Sequence, residues 1–253
     1  RTLRIMAGRD EENHPTAGCL ADLDISGASI VAGGGEYGES RFTEDGVIGV
    51  GLFRACTGLK TIKLPMGAVK IEKEAFEGCT SLRSITIPAS VSAVSPSAGC
   101  TSLETIDVSA ANTHFQSKDG VLLSSDSKRI LWFPMGKKGE YTLPSTIESV
   151  GDYAFRESNV EKFVFADGLT KLGMCAFYNS KVKEVVLPST LKLLPSGLFQ
   201  KCSHLTTVRL GKKVDIINEY VFDGCPLTDL YVGAALPPVC YDNTFANVAT
   251  DFL

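Results

Sequence analysis

The chain has 253 residues, of which 44% are hydrophobic and 21% charged, a composition typical of a globular protein that builds a core. Its 24 glycines and 11 prolines are near the usual average, which excludes a collagen-like or low-complexity chain. The formal net charge of −4 provides no basic field for nucleic acid, and no apolar run approaches the roughly 18 residues of a membrane span. We therefore expect no nucleic-acid partner and no membrane span.

Residues 1–19 are predicted to form an N-terminal cap. Leu3, Ile5 and Met6 would share one apolar face of a short capping helix that ends near Gly8. A stack of repeats needs a cap because its first strand otherwise exposes a core edge and unpaired backbone groups. The sequence begins with Arg1, so we expect this cap to be truncated and the natural segment to be longer.

From Leu20 onward, one short pattern recurs with a period of 22 to 23 residues. Each copy has apolar residues at positions one, four and six, and several copies end in proline or glycine. This spacing predicts a short strand with inward-pointing apolar side chains, and the fixed period predicts a stack of repeats. The eight segments start at Leu20, Leu59, Leu82, Leu103, Val160, Val182, Leu205 and Leu227.

A second marker is a small or apolar residue followed by a phenylalanine. In six of the seven copies a cysteine or a serine lies three residues after the phenylalanine. The phenylalanines are predicted to fill the core from the side opposite the strands. Before each of them, an apolar pair returns the chain across the core, for example Val69 with Ile71, Ile147 with Val150, or Val214 with Ile216. The marker phenylalanines are Phe53, Phe76, Phe155, Phe177, Phe199, Phe222 and Phe245.

Five of the eight cysteines recur at or close to the same period, which makes them copies of one structural position rather than partners. Side chains that point the same way into a packed interior are poorly placed for the dihedral angle of a disulfide. We therefore predict buried thiols at Cys56, Cys79, Cys100, Cys202 and Cys225. The state of Cys19, Cys175 and Cys240 stays open.

Between Leu103 and Val160 the repeats are interrupted near residues 115–140. The polar stretch Ser124–Ser127 separates the apolar runs GVLL and RILWF, which predicts a hairpin-like insertion. The insertion carries Trp132, the only tryptophan of the chain. If it points outward, it is the best single anchor for a partner; otherwise it packs half-buried against the insertion.

These motifs resemble the BspA-like leucine-rich repeats of bacterial surface proteins. The resemblance rests on the pattern [LV]xx[IVFL]x[IL]P, a V-x-x-I-type return and AFxxC, and is closest at Leu59–Cys79, Leu143–Phe155 and Val182–Cys202. The opening segment Asp24–Phe53 and the insertion Ser117–Pro134 are also similar to segments that accompany such repeats in Bacteroidetes proteins. The third repeat departs from the pattern, with Ser97-Ala98 where Ala-Phe is expected.

Together, the period and the resemblance predict a leucine-rich-repeat solenoid, a right-handed superhelix with a β-sheet face and about nine turns. We expect one solenoid over residues 20–253, preceded by the cap at residues 1–19. The resemblance also implies a secreted or surface-anchored protein, held at the outer membrane, in a family whose members include proteins that adhere to host proteins.

The sequence offers little catalytic chemistry. His14, His114 and His204 lie far apart in the chain, and no pair of histidines or cysteines has metal-ligand spacing. The run Gly33–Gly35 has no Lys-Ser or Lys-Thr after it, so it predicts a turn rather than a phosphate loop. We predict no catalytic residue, no cofactor and no metal site; a hydrolase would have to be built from the loop at residues 33–46 and the insertion.

The remaining candidate is the outward face of the strands, at positions three and five of each segment. In the C-terminal half these positions mix exposed apolar side chains with charges, a mix typical of an interaction surface. A solvated sheet face, with β-branched residues chosen for strand propensity, accounts for the same pattern and stays open. We predict a non-catalytic, monomeric module that binds an extracellular protein or glycan; a structural spacer without a ligand is the alternative. The candidate ligand-facing residues are Lys162, Val164, Glu184, Val186, Thr207, Arg209, Asp229, Tyr231 and Trp132.

Overall fold

The computed structural model describes residues 14, 16, 18–33 and 42–248. Within these ranges, all of the regular secondary structure is β-strand. The chain divides into two compact units, the first made of Arg1–Ser125 with Pro134–Gly136 and the second of Asp126–Phe133 with Lys137–Leu253. The predicted capping helix lies outside the described residues.

The first unit is built from short strands, most of them in parallel sheets. Strands β1, β3, β5 and β7 form a parallel sheet in that order, and β2, β4 and β6 form a second parallel sheet from the return segments. Strands β8 and β9 pair in antiparallel fashion, with Asp119 and Gly120 at their turn. The strands of this unit are β1 (Asp22–Asp24), β2 (Val47–Ile48), β3 (Thr61–Lys63), β4 (Lys70–Ile71), β5 (Ser84–Ile87), β6 (Ala93–Val94), β7 (Thr105–Val108), β8 (Phe115–Lys118) and β9 (Val121–Ser124).

The second unit repeats this plan. Its larger sheet is parallel with the order β11-β13-β14-β16-β18, the return segments β15, β17 and β19 form a smaller parallel sheet, and β10 pairs with β12. The strands of this unit are β10 (Arg129–Trp132), β11 (Lys138–Thr142), β12 (Ser149–Val150), β13 (Asn159–Val164), β14 (Glu184–Val186), β15 (Leu193–Leu194), β16 (Thr207–Leu210), β17 (Ile216–Ile217), β18 (Asp229–Val232) and β19 (Val239–Cys240).

Each of the eight predicted segments forms a strand of one of the two larger sheets, so the predicted repeat solenoid is confirmed. Strand β11 adds one more strand to the second sheet, and its chain turns at Pro144 shortly afterwards. Register is regular from turn to turn: Ile85, for example, lies between Ile62 and Ile106. All three isoleucines are buried, because each occupies the inward position four of its segment.

A ladder of phenylalanine rings fills the interior of the second unit. Phe177 stacks between Phe155 and Phe199 with centroid distances of 4.8 and 5.3 Å, and Phe222 continues the ladder at 6.1 Å from Phe199. Phe163 of β13 meets Phe177 edge-on at 4.9 Å, so strand side and turn side interlock. In the first unit, Phe53 and Phe76 stack at 5.5 Å. The predicted core role of these phenylalanines is confirmed.

The return segments bury a different pair from the one expected in two of the three examples. Val69 is 43% exposed, and the buried partner of Ile71 is Ala68. Val214 likewise packs with Ile217 rather than with Ile216. The inward residues are three apart because each pair spans the turn that precedes a two-residue strand, where the alternation of an extended chain does not yet apply. The third example, Ile147 with Val150, has this spacing and is buried.

Each phenylalanine corner is bounded by residues with left-handed backbone. Tyr153 and Glu157, two residues before and after Phe155, both have a φ of 56°, and Lys201 after Phe199 has a φ of 61°. Two reversals of hand within five residues bend the chain tightly, so the ring points inward and the third residue after it also reaches the interior. Gly224 and Gly78 occupy the second bend in other repeats, where the conformation carries no side-chain strain.

The ladder thiols are buried, as predicted. Four of the five donate to the phenylalanine carbonyl of the preceding repeat, among them Cys79 to Phe53 at 3.0 Å and Cys202 to Phe177 at 3.0 Å. Cys100 and Cys225 make the same bond, at 3.1 and 3.0 Å. The cysteine therefore joins successive turns by satisfying a backbone acceptor in the core, where an unpaired carbonyl would be costly.

Candidate binding surface

Eight of the nine candidate residues lie together on the outer face of the second unit's larger sheet. We call this surface the second-unit strand face. The residues at position three of each segment form one row across the sheet, in which Glu184 lies opposite Lys162 and Thr207. The residues at position five form the other row, in which Arg209 lies opposite Val186 and Tyr231. The surface consists of Lys162, Val164, Glu184, Val186, Thr207, Arg209, Asp229 and Tyr231.

Trp132, the ninth candidate, is not on this surface. Its side chain is 1% exposed, so the expectation that it anchors a partner is wrong. It belongs to β10, where Ile130 is also buried and Arg129 is exposed. The alternation of the strand places Trp132 on the same inward side as Ile130, two residues away. The sequence pattern RILW already contains this alternation, which was the signal against an outward tryptophan.

Two valines give the second-unit strand face an apolar centre. Val164 is 36% exposed and Val186 is 55% exposed, and both occupy position five of neighbouring strands, β13 and β14. Their inward neighbours Phe163 and Val185 are buried, so the backbone beneath the two exposed side chains is held by the core. The valines are therefore presented on a rigid base rather than on a loop.

Two of the three charges in the row at position three, those of Lys162 and Glu184, are in ion pairs. Lys162 donates to Glu140 of the neighbouring strand β11 at 2.8 Å, and this bond raises the pKa of Lys162. Beside the row, Lys183 donates to Glu161 at 2.8 Å, and the same contact lowers the pKa of Glu161. These pairs are exposed and contribute little to folding stability, but each sets a negative charge beside a positive one on this face.

Arg209 and Tyr231 form a stacked pair at the other end of the surface. The Arg209 guanidinium carbon lies 3.8 Å from the centroid of the Tyr231 ring, a cation–π contact. Its Nε lies 3.6 Å from a carboxylate oxygen of Glu184, and the Tyr231 hydroxyl donates to Asp229 at 3.5 Å. Tyrosine and arginine are the side chains most enriched at the energetic centre of protein interfaces, together with tryptophan.

The corresponding face of the first unit has a different chemistry. Its outward residues are mostly small and polar. The Lys63 ammonium donates a hydrogen bond to the Asp24 carboxylate at 3.0 Å. Hydrogen bonds from Ser26, and then the contact with Lys63, lower the pKa of Asp24 to about 2. Thr61 donates its hydroxyl to Asp22 at 2.6 Å. No large apolar side chain stands outward on the described strands of this sheet.

A shallow groove of about 350 Å³ lies where the first unit's strands end, and the sequence reasoning missed it. It is lined in part by Lys63, Met66, Thr86 and Pro88, and Met66 is 70% exposed. The available signal was an apolar methionine directly after a strand-ending proline, a place where a polar turn residue is more usual.

Candidate metal ligands do not gather in the described part of the chain. No group of three or more histidine, cysteine or acidic side chains there is arranged to hold a metal ion. His204 contacts its neighbour Ser203 at 3.2 Å. Among the same residues, no helix has the length and hydropathy to cross a bilayer.

Strands stacked at a 22 to 23 residue period, with a buried phenylalanine in most turns and a buried cysteine or serine three residues after it, define a leucine-rich-repeat solenoid. A family model described as the BspA type leucine-rich repeat region matches six copies, over residues 45–119 and 136–250. The chain belongs to this family. A comparison with curated proteins gave no significant match.

Several solved structures share the fold. A leucine-rich cell surface protein from Faecalibacterium prausnitzii aligns with a TM-score of 0.67 and 22% identity, over 90% of this chain and 57% of its own. The pneumococcal vaccine antigen PcpA aligns with a TM-score of 0.59 and 19% identity, over 91% of this chain and 62% of its own. A leucine-rich repeat protein from Eubacterium ventriosum aligns at 0.55 and 20%, over 81% and 75%. This chain thus spans little more than half the length of the Faecalibacterium protein.

Proposed function

We propose that the chain is a non-catalytic binding module that uses the second-unit strand face to hold an extracellular protein or glycan. The observation that supports this most directly is the exposed pair Val164 and Val186 beside the Arg209–Tyr231 stack, all on a rigid parallel sheet. Exposed apolar side chains that are surrounded by charged, mostly ion-paired side chains are typical of an interface with an apolar centre and a polar rim. The first unit's face has no such group among its described strands.

The test is binding of the folded chain to an array of extracellular-matrix proteins and of host and bacterial glycans. A variant with Val164→Asp, Val186→Asp and Tyr231→Ala should lose the ligand while keeping its unfolding midpoint. Thr86→Asp is the matched control, because it places the same charge at position five of a first-unit strand. A ligand that is lost from the control but kept by the triple variant would move the site to the first unit.

A spacer without a ligand is the second candidate, and the small, polar first-unit face favours it. A surface of threonine and serine with closed ion pairs resists association, which suits a rod that only separates other domains. If no probe of the array binds in a manner sensitive to the triple variant, the spacer becomes the better proposal.

We also propose a cell-surface location, attached to the outer membrane. Support comes from the family and from the cell-surface description of the Faecalibacterium protein, which this chain resembles in fold. Surface proteolysis of intact cells, followed by fractionation of their membranes, tests this: a protease-resistant protein in the cytosolic fraction would contradict it.

A further inference from the structure

We propose that the outward side of the smaller parallel sheet of the second unit docks on a membrane surface that carries anionic lipid headgroups. This surface, which we call the second-unit return face, consists of β15, β17 and β19 and the turns that precede them. It is separate from the strand face, and the proposal does not rest on the function proposed for that face. A row of exposed aliphatic side chains, an apolar loop and lysines without ion pairs support it.

Three aliphatic side chains stand in register on this face. Leu193 lies opposite Ile216, and Ile216 lies opposite Val239, each at the first position of its two-residue strand. The second residues, Leu194 and Ile217, are buried, so alternation along the strand turns the first ones outward. Leu193 is 41% exposed although its turn lies between two other turns, so this exposure does not come from the end of the stack. The row offers outward apolar area to a partner.

The loop before β19 extends this apolar area. Residues 233–238 read GAALPP, so the loop carries no charged side chain and no side chain that forms hydrogen bonds. Leu236 in this loop is 80% exposed. The loop of the preceding turn differs, because it carries Lys212 and Lys213. An exposed leucine next to a basic turn is the combination that lies well in the headgroup region of a bilayer, with the aliphatic group toward the acyl chains and the ammonium groups among the phosphates.

The lysines of this face have free ammonium groups. Within the described residues, no ion pair involves any of them. The strand face is different, since Lys162 and Lys183 each lie 2.8 Å from a carboxylate oxygen. The acids of the same turns are Asp167 and Asp215, so the face has an excess of positive charge in a chain whose net charge is −4. Such lysines attract anionic headgroups without first giving up a carboxylate. The four exposed lysines are Lys171, Lys192, Lys212 and Lys213.

Charge changes sign across the face, which sets the expected orientation. Glu219 and Asp242 are exposed, and each lies three residues after the first residue of its return strand, on the side of the phenylalanine corner. Lys212, Lys213 and Leu236 precede the strands and lie on the other side. An anionic surface attracts the second side and repels the first. The protein therefore rests on lipid with its basic turns and apolar loop, and its acids point away.

The experiment measures co-sedimentation of the chain with vesicles of phosphatidylcholine alone, or of phosphatidylcholine mixed with an equal part of phosphatidylglycerol. Only the anionic vesicles should bind, and raising the salt from roughly 0.05 to 0.5 M should release the protein. Lys212→Glu with Lys213→Glu should weaken binding by roughly tenfold or more. Lys60→Glu with Lys73→Glu is the matched control, because it changes the net charge equally at two exposed lysines of the first unit. It should weaken binding by less than about threefold.

Two further variants test the apolar contribution. Leu193→Asp should weaken vesicle binding by roughly fivefold or more, because it places a charge in the aliphatic row. Val69→Asp is its control, since Val69 is 43% exposed on a return segment of the first unit, and it should leave binding within about twofold. Leu236→Ser, in a loop where little packing can be lost, should weaken binding several-fold. Circular dichroism of each variant excludes unfolding as the cause of a loss.

Heparin is the second probe, and it separates a lipid surface from a polyanionic glycan. Heparin binding that is tighter than vesicle binding, together with vesicle binding that Leu193→Asp and Leu236→Ser leave unchanged, would overturn the lipid proposal in favour of a polyanion. Failure to bind anionic vesicles, or equal binding to both kinds of vesicle, would also overturn it. An equal loss in the two lysine pairs would assign the binding to the net charge of the chain and not to this face. None of these outcomes bears on the strand face.

Discussion

At the scale of single residues, the position three residues after each phenylalanine decides how successive turns are tied together. A cysteine there reaches the phenylalanine carbonyl of the preceding turn, as Cys225 does to Phe199 at 3.0 Å. Serine holds its polar atom closer to the backbone than cysteine does, and the two serines at this position differ in their hydrogen bonding. The Ser180 hydroxyl meets the Cys202 thiol at 3.4 Å, whereas the buried Ser158 hydroxyl has no hydrogen-bond partner.

Ser158→Ala should therefore stabilise the protein by about 1 kcal/mol, because it removes a buried hydroxyl that gains nothing from folding. Ser180→Ala is the matched control and should destabilise it by about 0.5 to 1 kcal/mol, through loss of the contact with Cys202. Urea unfolding of both variants gives the two free energies. A clear loss of stability in Ser158→Ala would show that its hydroxyl has a partner in solution.

Phe177→Ala should lower the free energy of unfolding by about 3 to 5 kcal/mol, because the ring sits fully buried between two neighbours of the ladder. Leucine at the same position should cost less, since it refills most of the volume. An unchanged unfolding midpoint in Phe177→Ala would contradict the ladder as the centre of the core.

At the scale of elements, the repeat places equivalent backbone segments of consecutive turns in direct contact. Gly173 shows how close this approach is: a Cβ atom on it would lie 2.3 Å from the carbonyl carbon of Gly151 and 2.4 Å from the nitrogen of Asp152. The two glycines are 22 positions apart and occupy the same place in consecutive turns. Backbone atoms cannot move aside as a flexible side chain could, so position 173 has no room for a Cβ atom.

Gly173→Ala should accordingly destabilise the protein by about 1 to 3 kcal/mol through overpacking against backbone. Gly67→Ala is the control, because nothing lies within 4 Å of a Cβ at that position. It should be neutral or stabilising by up to about 1 kcal/mol, since alanine restricts the unfolded chain. Thermal unfolding of the pair distinguishes steric contact from a general effect of losing a glycine. Equal midpoints for the two variants would contradict the close approach.

The strands and corners were predictable from the sequence because a fixed period makes every repeat a test of the others. Position four is apolar in every segment and buried in all but the last, so the register needed no further information. The return pairs were harder. Val69 and Ala68 are both apolar, and only the bend of the backbone before β4 shows that Ala68 points inward.

The candidate surface was predictable in its position but not in its electrostatics. Alternation along a strand places Val186 and Arg209 outward without any structure. The ion pair between Lys162 and Glu140 was not foreseeable, because Glu140 belongs to a strand outside the regular segments. That pair places a carboxylate beside the one lysine of the surface, which the alternation along a strand could not show.

At the scale of the whole molecule, the two units share one repeat chemistry but present different outer faces. The cysteines show the shared part, since Cys56, Cys79 and Cys100 in the first unit and Cys202 and Cys225 in the second are all buried. Outside the ladder, Cys19 and Cys240 are exposed and Cys175 is partly exposed. One chemical reagent can therefore report on both cores and on the surface in a single protein sample.

In the native protein, a thiol reagent should modify Cys19 and Cys240 rapidly, Cys175 more slowly, and the five ladder cysteines only after unfolding. Burial alone hinders the reagent, and the contact with Cys202 followed by burial raises the pKa of Cys225, which keeps it as an unreactive thiol. Mass spectrometry of digested samples, taken across a urea series, assigns each modification to its residue. The exposed pair is the internal control for reagent activity. Rapid native labelling of Cys79 or Cys202 would contradict the bonds to Phe53 and Phe177 that tie the turns together, whereas labelling that follows the loss of β-structure would show that those bonds last as long as the stack itself.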